Sequence, residues 1–310
     1  MDSRKHVMGL VAVGMSGSLA LTACGGGGED LTAGSDSGGG DGRAIEMGLV
    51  AWDDAIAVTH MWKLILEEKD YDVTVTGIDV APMYQGLADG DLDLYMNVWL
   101  PVTHGDYWED YGGGLEDLGA WYDNAVLTLT VPAYMDDVDS IADLPDHVDE
   151  LDGRIVGIDP GAGLTRITKE DAMPGYGLDE GFELVESSSA AMIAELDAAV
   201  SGQDPIVVTL WRPHQAYAQF DLKDLEDPEG LMGEAETINA VGRDGFREDH
   251  PEAAGWLEDF ELTDDEFSSL AELTLEEYED DPEEGARVWL SDNPAFLERT
   301  LGEDAEGLEF

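Results

Sequence analysis

Two stretches of this chain repeat one grammar: a helix ends on Gly, an apolar strand follows, and the strand delivers a Trp that turns through Pro. In the first half, Gly90 precedes the run Leu92 to Val98, which leads into Trp99-Leu100-Pro101-Val102-Thr103-His104. In the second, Gly202 precedes Ile206 to Leu210, which leads into Trp211-Arg212-Pro213-His214. A third tryptophan, Trp52, follows the strand-like run Met47 to Ala51. Ligands of open α/β sheets bind just beyond the carboxyl ends of the strands, so indoles placed there face a cleft. A single strand-end Trp also serves as a core or lid residue; three in the same setting point to binding. Two α/β lobes that present their strand ends to each other enclose one cleft between them.

The remaining pattern is consistent with this. Ile56, Thr59, Trp62, Ile65 and Leu66 recur at helical spacing over 55–69, which makes Trp62 a core residue, and Asp53-Asp54 suit the positive start of that helix. Strands are expected over 45–51, 72–78, 154–159 and 206–210, with helices over 82–89 and from Ser187–Ser189 to Gly202. Beyond Ala235 the chain reads as helical: His250-Pro251, the capping box Thr263-Asp264-Asp265-Glu266, and Asp281-Pro282 each open a helix, and Trp256 and Trp289 fall inside helices as packing residues.

Charge narrows the partners. Asp and Glu number 71 against 14 Lys and Arg, a formal −57. Such a surface repels nucleic acid and anionic lipid headgroups. The acids are spread along a chain that is 43% hydrophobic with 8 Trp, so they form a solvated shell on a folded protein rather than a disordered tail. A salty habitat accounts for that shell, because near 1 M salt the Debye length falls to about 3 Å.

The first residues are processing signals. Arg4, Lys5 and His6 precede a small, apolar run from Val7 to Ala20, and Leu21-Thr22-Ala23-Cys24 resembles a lipobox that leaves Cys24 as a lipidated N-terminus. Cys24 is the only cysteine, which excludes an intramolecular disulfide and a thiolate metal site. Residues 25–43, dense in Gly, Ser and Asp, read as a flexible tether.

Catalytic motifs are missing: there is no G-x-S-x-G, no H-E-x-x-H and no P-loop. Gly161-Ala162-Gly163 begins a dinucleotide fingerprint, but Arg166 stands where its third Gly belongs; its better use is to turn backbone N–H groups into the cleft as an anion nest. No enzyme activity, cofactor or metal is expected.

These stretches, with Val50-Ala51-Trp52-Asp53, Gly157-Ile158-Asp159-Pro160-Gly161-Ala162-Gly163-Leu164 and Ser187-Ser188-Ser189-Ala190-Ala191-Met192, resemble the substrate-binding protein of ABC-type glycine betaine importers from about residue 45 to 300. The resemblance implies an α/β, two-lobe periplasmic-binding-protein fold (type II) with the ligand cleft between the lobes. Lobe 1 would be 44–131 plus 238–310 and lobe 2 132–237, after a signal peptide over 1–24 and the tether over 25–43. The crossovers fall near Val131–Tyr134 and Thr237–Asn239. By similarity, Trp52, Trp99 and Trp211 form an aromatic cage for a quaternary ammonium, and His104 with the backbone N–H groups of Gly163 and Leu164 holds a carboxylate. His214 is a further possible contact. Leu210 and Arg212 stand where the commonest form of the family's motif has Gly and Thr.

The partners implied are glycine betaine or a related small zwitterion, an ABC permease with its ATPase subunit, and the membrane through a lipid anchor on the outer face of the cytoplasmic membrane. Carnitine, proline betaine and choline are alternative ligands, though choline lacks the carboxylate that His104 would hold. A secreted acidic hydrolase that uses the tryptophans as a sugar platform is the alternative from another class.

Overall fold

The computed structural model describes residues 43–310; the leader, Cys24 and nearly all of the tether lie outside the described residues. Nine strands make up the described sheet: β1 (Ala44–Leu49), β2 (Asp72–Gly77), β3 (Leu94–Leu100), β4 (Leu115–Pro132), β5 (Arg154–Val156), β6 (Glu183–Val185), β7 (Val208–Arg212), β8 (Leu222–Asp224) and β9 (Glu236–Arg243). Their order is β2-β1-β3-β9-β4-β7-β5-β6, with β8 beside β4. Pairing changes hands inside β4, which runs against β9 as far as Ala125 and against β7 from Val126 onward. One long strand thus belongs to two sheets, and each sheet is the floor of one lobe. The strands that end at the cleft are parallel within each lobe: β1 with β2 and β3, and β5 with β6 and β7.

β3 is buried through Trp99, as the continuous apolar run requires of a strand covered on both faces. The first lobe's helices are α1 (Asp53–Glu68), α2 (Val80–Asp89) and α3 (Gly105–Tyr111). α2 stops at Gly90, whose φ of 75° is the left-handed conformation that glycine adopts without steric cost. In the second lobe α4 (Gly163–Ile167) continues through a π-helical turn into α5 (Met173–Gly175), followed by α6 (Ser189–Gly202) and α7 (Ala216–Gln219). Ser188 caps α6 by accepting the N–H of Ala191 at 3.2 Å.

After β9 come α8 (Phe246–Asp249), α9 (Pro251–Glu258), α10 (Asp264–Glu272), α11 (Pro282–Asp292) and α12 (Pro294–Leu301), which complete the core of the first lobe. The Thr263–Glu266 capping box forms with both of its bonds. Trp62 is fully buried, edge-on to Phe260 at 5.2 Å; Trp289 packs on Phe296 at 5.0 Å, and Trp256 donates to Asp304 at 3.0 Å. All three are packing residues. No helix among the described residues is long and apolar enough to cross a membrane.

Two expectations are corrected. The segment after Ala235 does not turn helical at once: Glu236–Arg243 is a strand, and its Thr237-Ile238 and Val241 carry the β-branching that suits one. Asp53 and Asp54 do not cap α1 from outside; Trp52 is the N-cap residue, without a side-chain cap bond, and both acids lie within the first turn.

Candidate functional site

Trp52 leaves β1, Trp99 sits at the end of β3 and Trp211 near the end of β7; all three line one narrow cavity, about 20 Å³, between the lobes. The indoles are 4–6% exposed, so their faces are turned inward rather than to solvent. Both Trp-x-Pro turns contain a cis peptide bond, at Leu100-Pro101 and Arg212-Pro213.

The polar edge of each indole is anchored by acids. Trp52 Nε1 donates to Asp159 at 3.1 Å, from one lobe to the other. Trp99 Nε1 donates to Asn97 at 3.0 Å and to Asp54 Oδ2 at 3.3 Å, while Trp211 Nε1 reaches Asp54 Oδ1 at 3.3 Å. One carboxylate, on the first turn of α1, therefore orients a tryptophan from each lobe. Desolvation, reinforced by the neighbouring Asp53 charge, pushes the buried Asp54 up to about 7 against the lowering pull of its hydrogen bonds. Asp53, partly exposed, is pushed up to about 6 by burial.

His104 lines the same cavity and stacks on Trp52 with centroids 5.8 Å apart. Its Nδ1 accepts the backbone N–H of Trp99 at 3.1 Å, so Nε2 carries the proton of the neutral ring. Burial, with the nearby Arg166 cation, lowers its pKa to about 3. The imidazole is thus a neutral donor across the physiological range. Beside it, Gly163 and Leu164 begin α4, and no acceptor among the described residues takes their N–H groups. Gly163 is required by close approach: a Cβ there would stand 2.0 Å from the carbonyl oxygen of Thr103. Tyr107 Oη donates to the Gly161 carbonyl at 3.0 Å and Arg166 pairs with Asp106 at 3.0 Å, so the same seam is bolted from both lobes.

The six residues expected to form a site, Trp52, Trp99, Trp211, His104, Gly163 and Leu164, are therefore brought together. His214 is not among the cavity-lining residues. It is buried edge-on to Trp211, with centroids 4.3 Å apart, and its Nδ1 accepts the N–H of Ala216 at 3.0 Å. Burial lowers its pKa to about 3, and the 3.4 Å approach of Asp53 to that same Nδ1 is no ion pair while the ring is neutral. Arg212 points away from the cage: its guanidinium lies 3.5 Å from the centre of the Tyr217 ring and pairs with Asp224 at 2.7 Å. Alternation along β7 puts residue 212 on the face opposite Trp211. Asp54 and Asp159 were missed by sequence reasoning, because acids are too common in this chain for any one to stand out.

The family model described as the substrate-binding domain of the ABC-type glycine betaine transport system matches residues 43–292. The glycine betaine/carnitine transport binding protein of Listeria monocytogenes is 40% identical over 148 residues, 47% of this chain and 48% of that protein, so the chain spans about half the length of this curated relative. The glycine betaine/L-proline-binding protein of Borrelia burgdorferi superposes with a TM-score of 0.79 at 29% identity, over 85% of this chain and 98% of that one. A lactococcal protein closed around glycine betaine gives 0.77 at 31%, over 84% and 99%. An ABC-transporter choline-binding protein in complex with choline gives 0.76 at 28%, over 84% and 92%. With its family model matched over most of its length and a two-lobe fold shared with these structures, the chain belongs to the family of substrate-binding domains of ABC-type glycine betaine transport systems.

Proposed function

We propose that this protein captures glycine betaine outside the cytoplasm and delivers it to an ABC permease and its ATPase subunit, without chemical turnover. The observation that carries the reading is the polarity of the cavity: three indole faces, backed by Asp54, meet a carboxylate-binding end made of His104 and the free N–H groups of Gly163 and Leu164. A trimethylammonium group has no N–H to donate and spreads its charge over methyls, so indole faces suit it. Three cation–π contacts at about 0.5–2 kcal/mol each supply roughly 2–6 kcal/mol. Micromolar affinity needs about 8 kcal/mol, and methyl burial with charge-assisted bonds to the ligand carboxylate supplies the rest.

Both lobes contribute to the cage, so the ligand favours closure, and the closed form is what the permease recognises. In this reading lobe 1 is 44–131 plus 238–310 and lobe 2 132–237; the change of β4's partner from β9 to β7 after Ala125 supports a passage between lobes along this strand. Cys24 holds the protein to the outer face of the cytoplasmic membrane through lipid, and the acidic shell fits a halophilic habitat. Choline is the second reading, favoured by the choline-bound relative and by the carboxylate of Asp54 against the cage.

Titrating intrinsic Trp fluorescence with glycine betaine, carnitine and choline in molar salt tests the proposal. Saturable glycine betaine binding, with ligand recovered unchanged, is expected. No response to any of the three overturns the reading, and a tighter choline isotherm replaces it with the second.

A further inference from the structure

The cis-Pro turn that carries His104 is tied to one more residue, Glu236. This glutamate opens β9 where the chain returns from the second lobe, and it pairs with Ala125, the last residue of β4 before that strand changes sheets. It therefore stands at the hinge. Its side chain is buried, and both oxygens accept from Thr103: the backbone N–H at 2.9 and 3.1 Å and the hydroxyl at 3.1 Å.

A buried carboxylate is costly unless it is well satisfied, and here three contacts go to one residue, which fixes that residue in position and orientation. Thr103 directly precedes His104, and its carbonyl is the atom against which Gly163 packs. The second lobe grips the same turn through Arg166, which donates to the Val102 carbonyl at 3.2 Å.

From this juxtaposition we infer that Glu236 is a positioning residue: seated on the hinge strand, it holds Thr103 and thereby sets where His104 meets the carboxylate of the ligand as the lobes close. The inference rests on the reading that His104 holds that carboxylate.

A double-mutant cycle on the full chain tests it, with glycine betaine taken to molar concentration so that weakened variants still give a Kd. Glu236→Gln is expected to weaken binding about tenfold in the wild-type background, the scale of one charge-assisted hydrogen bond. In a His104→Ala background the same change is expected to do less than about twofold, because coupled residues are not additive. A merely structural glutamate would lower affinity by the same factor in both backgrounds, and that result, or wild-type affinity in Glu236→Gln, overturns the inference. Thr103→Val removes only the hydroxyl bond and keeps the shape; it carries the same cycle, with about a threefold loss expected, should Glu236→Gln fail to fold. A His104→Ala protein that binds glycine betaine like wild type breaks the reading of the site itself. Loss in His104→Ala combined with additivity breaks only the role of Glu236.

Discussion

The turn after Trp99 and the turn after Trp211 are written in nearly the same letters, Trp-Leu-Pro-Val-Thr-His and Trp-Arg-Pro-His, yet their histidines end in different places. Four residues separate Trp99 from His104, enough for the chain to fold back so that His104 Nδ1 takes the N–H of Trp99 and the ring stacks on Trp52. Only two separate Trp211 from His214, which instead takes the N–H of Ala216 and packs edge-on to its own tryptophan. The two indoles line the same cavity, whereas His104 lines it and His214 does not. A repeated motif guarantees a repeated backbone turn, and the number of residues in the turn decides what the next side chain can reach.

The equivalence of the indoles is the first thing to test. Trp99→Ala and Trp211→Ala should each weaken glycine betaine binding by roughly 1–3 kcal/mol in a calorimetric titration, since each removes one cation–π face and admits water. A large effect for one and none for the other would break the symmetry. The contrast between the histidines comes next. His104→Ala should cost about 1.5–3 kcal/mol with a carboxylate-bearing ligand. His214→Ala should lower the melting temperature but shift affinity by no more than about 0.5 kcal/mol, the scale of a change outside the contact.

A subtler link between the two turns is Asp54, shared by both indoles. In the ligand-free fold its carboxyl, raised to about 7, keeps a proton that the unfolded chain releases near the ordinary Asp value of 3.8. Its contribution to stability is therefore full below the unfolded value and declines as pH rises toward 7. A bound cation favours the carboxylate, so binding releases a proton and affinity should rise with pH up to about 7, by less than about tenfold per unit for one proton. His104, neutral far below this window, adds nothing. Titrations across that range should show the slope in wild type and a shallower one in Asp54→Asn, where the neighbouring Asp53, pushed up to about 6, is the carboxyl left to titrate. The smallest effect belongs to the residues between Trp and Pro. Leu100→Ala and Arg212→Ala should differ little in affinity, because Arg212 faces Tyr217 and Asp224 on a half-exposed surface where an ion pair contributes about 0–1 kcal/mol.

Apolar periodicity made much of this molecule legible. Trp62, Trp256 and Trp289 separate from Trp52, Trp99 and Trp211 by whether a helix or a strand end carries them; all six are buried, and the strand-end three line the cavity. What escaped was mostly acidic or long-range. Asp54 sits where a helix-capping acid belongs, and only the second lobe, distant in sequence, turns it into the anchor of Trp211. Glu236 was one carboxylate among 71 acids. β4 escaped because Asp117, Gly119, Asp123 and Asn124 break its alternation and it changes partners midway, so neither half reads as a strand on its own.

Residue 163 contributes emptiness. The Thr103 carbonyl occupies the space in which every other amino acid keeps its first side-chain carbon. The smallest possible substitution, one methyl group, is already a doorstop: it props the jaws ajar while leaving all three indoles intact and in their own halves. Drift at this position has no gentle first step, and an engineer turning the scaffold into a biosensor would treat it as the mechanical stop that sets how far the jaws can travel.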